Sequence, residues 1–316
     1  MVRFCTIFDS RYLTRGLAMI SSLRPFLREA DEVIVLAMDD VTEQAIRDRS
    51  QTRVIRVGSL EDTELLALQK TRAAREFCWT CTPALVHWMV RNSSDGEIVV
   101  YLDADLLFFG DPRILLDELA GDGNILIHEH RYSPDKAHFE KISGRFNVGL
   151  VAFRVGEESR TCVDRWRAQT LEKCEIDLAN CCCGDQGYLD EWPSLYPGLR
   201  ILGNIGGGVA PWNVNQYQVG KNGHGPTVDG CPVVFYHYHA LETLAVPKSK
   251  FAAINPARDY RFSRNTKDIF YEPYAREIKR VESDLIGKGH EIASDRTCHG
   301  IGLMVGLALG RYVRAN

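Results

Sequence analysis

Short apolar runs alternate with segments of helical period through the first 130 residues. Val2–Phe8, Val33–Met38, Val54–Val57 and Ile98–Leu102 read as buried strands, each a near-continuous apolar stretch. Between the first two, Thr14–Leu27 reads as a helix with Leu17, Ile20 and Leu23 on one face. Ser59, three residues before Asp62, opens a capping-box pattern ahead of Leu65, Leu66 and Leu68. Thr82-Pro83 reads as the cap and first-turn proline of a helix over Ala84–Val90. Strands alternating with helices predict an α/β fold, a mostly parallel central sheet flanked by helices. In such a sheet, ligands bind at the carboxyl ends of the strands.

Further on, Asp111-Pro112 is a second cap-and-proline start. Strands are expected at Ile125–His128, Phe146–Phe153, Leu199–Leu202 and Val233–Tyr238. Glu157–Cys174 reads as a helix with Val163, Trp166 and Leu171 inward, and Gly184–Trp192 as a short one. Gly203–Gly230, rich in Gly, Asn and Pro, reads as a long loop region of the active site. Tyr274–Ile286 is amphipathic through Ile278, Val281 and Leu285. Ile301–Val313 is apolar, with Gly302, Gly306 and Gly310 spaced by four. It is too short to span a bilayer. It reads either as a helix docked on the domain or on a second copy, or, with Arg311 and Arg314, as a segment lying on an anionic membrane surface. The expected division is a main domain over residues 1–255 and a helical appendix over 256–316.

The chain has 316 residues, 45% hydrophobic and 25% charged, with a formal net charge of −4. That balance argues against a nucleic-acid partner. The first residues read directly as a strand, not a secretory signal, and no apolar run reaches the roughly 20 residues of a spanning helix. Ten cysteines at irregular spacing fit a reduced, cytoplasmic protein. Cys78-x-x-Cys81 and Cys181-Cys182-Cys183 raise a zinc site, but a single knuckle favours free thiols.

The chemistry concentrates at Asp103-Ala104-Asp105, directly after the strand Ile98–Leu102. Spacing of i, i+2 in extended chain puts both carboxylates on one side. Two such acids repel unless a cation joins them. A hard divalent metal with so few protein ligands shares its shell with substrate phosphates.

Four stretches, in order, resemble the GT-A glycosyltransferases (the Rossmann-like nucleotide-diphospho-sugar transferase fold), closest to the retaining family 8 type and its bacterial relatives. They are Phe8-Asp9-Ser10-Arg11-Tyr12, Asp103-Ala104-Asp105, Asn147-Val148-Gly149 with Gly184-Asp185-Gln186, and Phe235-Tyr236-His237-Tyr238-His239. The resemblance covers roughly residues 1–250. It implies a UDP-sugar donor, with Tyr12 stacking on uracil and Asp9 accepting the base N–H. It implies that Asp103 and Asp105 hold Mn²⁺ (or Mg²⁺) with a histidine, His237 or His239, and that Asp103 also meets the donor. Asn147 would lie beside donor sugar and acceptor, Asp185 would orient sugar hydroxyls, and the Gln186 carbonyl would face the reacting carbon. The family's Lys-Pro-Trp is missing here, which leaves Lys248 as the candidate for the diphosphate, with Lys250 next. The family's donor-reaching Arg before the metal motif is also missing, which leaves Arg75. The family's second acid after the Gln is Gly187 here, and Asp190 is the next acid. Trp212 in the glycine-rich loop reads as a sugar wall or as a loop anchor. The resemblance, with no evident general base, implies a retaining hexosyltransferase acting on a saccharide or lipid-linked saccharide. A sugar-nucleotide nucleotidyltransferase ranks second, because no Gly-rich phosphate loop follows the first strand. An aspartyl phosphohydrolase ranks third, and a non-catalytic carbohydrate- or nucleotide-binding protein is the alternative from a different class.

Overall fold

A computed structural model describes residues 1–47, 49–177, 182–245, 251–256, 259–292, 294–298 and 300–314. The chain forms two units. The first comprises 1–9, 27–103 and 112–204, and the second 10–26, 104–111 and 205–316.

The first unit is built on a seven-stranded sheet. Its strands are β1 (Val2–Phe8), β2 (Glu32–Ala37), β3 (Thr52–Arg56), β4 (Ile98–Leu102), β6 (Ile125–Glu129), β7 (Phe146–Arg154) and β8 (Leu199–Ile201), in the order 8-6-7-4-1-2-3. β5 (Leu106–Phe108) belongs to the second unit. β3, β2, β1 and β4 run parallel, whereas β7 enters antiparallel between β4 and β6. Because β7 runs backwards, its first residues lie at the carboxyl ends of β4 and β6: Phe146 pairs with Glu129, and the Asp103 amide donates to Gly149 O (3.0 Å). That end therefore gathers Asp103, Asn147 and His130.

Helices α2 (Ala74–Arg91) and α3 (Glu157–Glu172) pack in the apolar core of this unit, with Phe77, Leu85, Met89, Val163 and Trp166 all buried. Two expected starts are displaced. α2 begins at Ala74, so Pro83 lies inside it; the apolar positions from Phe77 onward continue the helix across a proline that withholds one hydrogen bond. Asp62, not Ser59, caps the helix Thr63–Leu68, accepting from the Leu65 amide (3.0 Å), while Ser59 sits in a 3₁₀ turn, Val57–Leu60.

In the second unit, α1 (Leu13–Leu23) is an amphipathic helix, and β5 pairs antiparallel with β9 (Phe235–His237). The glycine-rich stretch holds a three-stranded antiparallel sheet over Val219–Asn222, Gly225–Val228 and Cys231–Pro232. A turn of π-helix leads into α4 (Glu272–Gly287), which packs on α1. α5 (Gly300–Ala308) follows. Among the described residues no helix is long and apolar enough to cross a membrane.

One buried carboxylate ties the first unit together. Asp31 accepts from the amides of Val2 (3.0 Å) and Arg28 (2.8 Å) and pairs with Arg113. Burial alone would raise its pKa, but these donors, backbone amides first and then Arg113, hold it below the usual carboxylate value. A depressed folded pKa means stability that is present above the unfolded pKa and lost as pH falls through the folded one. Asp31→Asn is expected to cost about 3 kcal/mol near neutrality, as for one partner lost from a buried pair. It should also flatten the loss of stability below about pH 4, measured by urea unfolding across pH.

Candidate metal and donor site

In the first unit, Asp103 follows β4, and its carboxylate accepts from the Tyr101 hydroxyl (2.9 Å). Asp185 is buried nearby, with the Thr82 hydroxyl in hydrogen-bond reach. Its carboxyl is pushed up to about 8, first by burial and then by the charge of Asp103. Gly184, at φ +56°, makes this placement possible: a Cβ there would sit 2.9 Å from the Trp79 ring. Arg75 is exposed, with its guanidinium 5.1 Å from the Trp79 ring centre. Arg72 is committed elsewhere, to Thr80 and the carbonyls of Thr170 and Leu171.

Gln186 and Asn147 form one network. Gln186 Oε1 accepts from Asn147 Nδ2 (2.8 Å) and the Val148 amide (3.2 Å), and its Nε2 donates to Ser143 O (2.7 Å). Asn147 Oδ1 accepts from the Gly149 amide (2.9 Å) and its Nδ2 lies 3.4 Å from His130 Nε2. The Gln186 carbonyl thus fixes the entry of β7. Asp190 accepts from the amides of Arg145 and Phe146, a structural clamp on the same entry.

The second unit supplies Asp105 and His237. His237 Nε2 stands 3.0 Å from Asp105 Oδ1, with both side chains largely buried. The β5–β9 ladder fixes this pair, since Leu106 is opposite His237 and the Tyr238 amide donates to Asp105 O (2.8 Å). Burial would raise the Asp105 pKa, but His237 outweighs it and holds the carboxylate ionised. His239 lies past the end of β9, in a turn, and its ring centre is 6.2 Å from that of His237. Buried Trp212 packs edge-on against both imidazoles, at 5.2 and 5.5 Å. It therefore anchors its loop. Asn213 pins the same loop through Ala210 N and Gly208 O.

Sequence reasoning missed two side chains here. Arg15, buried on α1, donates to Leu241 O (3.0 Å), pairs with Asp295 and lies under the Tyr12 ring (4.7 Å). Tyr274 stacks on Tyr238 at 3.7 Å. An Arg within an otherwise apolar helix face is the one local sign of the first; nothing local marks the second. Tyr12 itself is 43% exposed. Asp9 ends the first segment of the first unit. Lys248 and Lys250 lie outside the described residues. Cys78 and Cys81 lie on α2, and among the described residues neither is in a disulfide or belongs to a cluster of metal-ligating atoms.

Comparison with known proteins settles the fold. No family model matches the chain. Two Bacillus subtilis proteins, both described as uncharacterized, are similar. YfnD is 29% identical over 282 residues, covering 88% of each chain, and YfnF is 27% identical over 256 residues, covering 78% of this chain and 84% of YfnF. The galactosyltransferase LgtC, solved with donor and acceptor sugar analogs, matches with a TM-score of 0.57 at 15% identity, over 90% of this chain and 99% of LgtC. The fold is GT-A. A second LgtC structure, of an active-site mutant with Glu in place of Gln, matches with a TM-score of 0.51 at 16% identity over 75% of this chain and 87% of that one. The GT-A fold is the one the four sequence stretches implied.

Gly184→Ala is expected to destabilise the protein by about 1–3 kcal/mol, through strain at positive φ and the Trp79 contact. It should also displace Asp185. Paired melting curves of the variant and Trp79→Ala/Gly184→Ala check this, since removing the indole should restore part of the loss.

Proposed function

We propose that this chain is a metal-dependent hexosyltransferase that moves a sugar from a UDP-sugar to a saccharide or glycolipid hydroxyl with retention of anomeric configuration. The Asp105–His237 contact carries the reading. A carboxylate and an imidazole held 3.0 Å apart, with a second carboxylate two residues away at Asp103, make a mixed oxygen and nitrogen donor set. Chain connection through Ala104 keeps Asp103 within reach of the pair. Such a set suits Mn²⁺ over Mg²⁺.

On this reading Asp103, Asp105 and His237 hold the cation, and His239 is kept out of the set by its distance. Bound there, the metal supplies Lewis-acid stabilisation of the leaving diphosphate. Tyr12 offers its face to the uracil and Asp9 accepts the base N–H. Arg75 reaches the donor over Trp79, and Lys248 is assigned to the diphosphate from sequence alone. Asp185 orients donor hydroxyls. Asn147 and Gln186 hold the strand entry beside the sugar; LgtC's active site also contains a glutamine, judged by the mutant that was solved.

Thermal shift with UDP, GDP, ADP or CMP, each with and without Mn²⁺, tests the donor class. UDP with Mn²⁺ together is expected to raise Tm most, and UDP-sugar hydrolysis should follow. Asp105→Asn and His237→Gln should each cut that turnover about 100-fold or more. A response to GDP alone would replace the donor. Pyrophosphate release from UTP and a sugar phosphate would favour a nucleotidyltransferase, and binding without turnover would favour a non-catalytic protein.

A further inference from the structure

The last helix turns an apolar face outward. Ile301, Met304, Val305 and Leu309 are 83, 62, 50 and 60% exposed. The spacing i, i+3 and i+4 places Ile301, Met304 and Val305 on one side of α5, and Leu309 follows in the turn past its end. The opposite side is anchored: Leu303 is buried with Leu244, Ala253 and Cys298. The patch is thus held out by a seated helix. Contiguous exposed patches of large apolar side chains mark interaction surfaces.

Two observations choose the partner. The first is charge. From Arg296 to Arg314 the chain carries three arginines and no Asp or Glu. Arg311 and Arg314 are exposed just past the helix, Lys267 donates to Gly310 O at its end, and Arg296 leans toward Glu242 (3.8 Å). The second is the glycine stripe. Gly306 is covered by the Tyr312 ring, which a Cβ would meet at 2.1 Å. The centre of the small-residue stripe is thus occupied from within, although Gly302 and Gly310 stand open. What is left outward is apolar side chains bordered by cations, the composition of a helix that lies in a lipid interface.

We propose that α5 docks this protein on an anionic lipid bilayer, with Ile301, Met304, Val305 and Leu309 in the acyl boundary and Arg311 and Arg314 at headgroup phosphates. Nine residues span about 13 Å, under half of the roughly 30 Å hydrocarbon core, so the helix lies in the plane. The surface stands independently of the proposed transfer reaction. If both hold, the active site works next to lipid-borne acceptors.

Co-sedimentation of the full chain with vesicles of phosphatidylcholine, alone or mixed with phosphatidylglycerol, tests this at 0.1 and 0.5 M NaCl. Binding is expected only to the anionic vesicles and should weaken with salt. Met304→Glu/Val305→Glu should reduce it at least tenfold with unchanged Tm, and Arg311→Gln/Arg314→Gln should remove the preference for anionic lipid. Equal binding to both vesicles, or a Met304→Glu/Val305→Glu protein that binds as wild type, would overturn the proposal. So would a concentration-dependent dimer, abolished by Met304→Glu/Val305→Glu, in a protein that ignores vesicles; that result would give the face to a second copy.

Discussion

Asp105 and His237 are the constraint on which the second unit is organised. An ionised carboxylate with only 13% of its side chain exposed is expensive unless a partner compensates. The 3.0 Å contact with His237 provides that partner, and the short β5–β9 ladder makes it obligatory. The aromatic mass behind β9 keeps the ladder rigid. Tyr236 and Tyr271 share a hydroxyl hydrogen bond (3.0 Å), Tyr238 donates to Phe270 O (2.8 Å), and Tyr274 lies flat on Tyr238. The C-terminal region is therefore a buttress for β9. Arg15, tied to Leu241 O and Asp295, adds a fixed cation beneath Tyr12.

The first unit solves a different problem, the placement of polar side chains at the end of an apolar sheet. β7 runs against its neighbours, so its amides start where β4 ends. Gln186, Asn147 and Asp190 spend their polar atoms on those first amides. Asp185 is left buried within reach of the Asp103 charge, with Gly184 and Trp79 in contact at the turn before it. Precision at Asp185 thus comes from glycine geometry and backbone hydrogen bonding more than from apolar packing.

Much of this was legible in the sequence. Buried parallel strands are continuous apolar runs, so β1, β2 and β4 announce themselves, and two acids after such a run identify Asp103 and Asp105. Local signals misled where a longer pattern overrode them. The Thr82-Pro83 pair looked like a start, yet the apolar period from Phe77 carried α2 through it. β5, at three residues, is too short to declare itself, although its pairing selects His237 over His239 as the partner of Asp105. Arg15 left a single local sign and Tyr274 none, because their partners lie more than 200 and about 36 residues away. The hairpins of the glycine-rich stretch were hidden by a composition that also suits loops.

The most direct test of the account is electron paramagnetic resonance of Mn²⁺ bound to the protein with UDP, with electron spin-echo detection of nitrogen. One directly coordinated ¹⁴N is expected, retained in His239→Gln and absent in His237→Gln. A bound Mn²⁺ that shows no nitrogen coupling, or one whose coupling survives His237→Gln, would contradict the assignment of Asp105 and His237 as the core of the site.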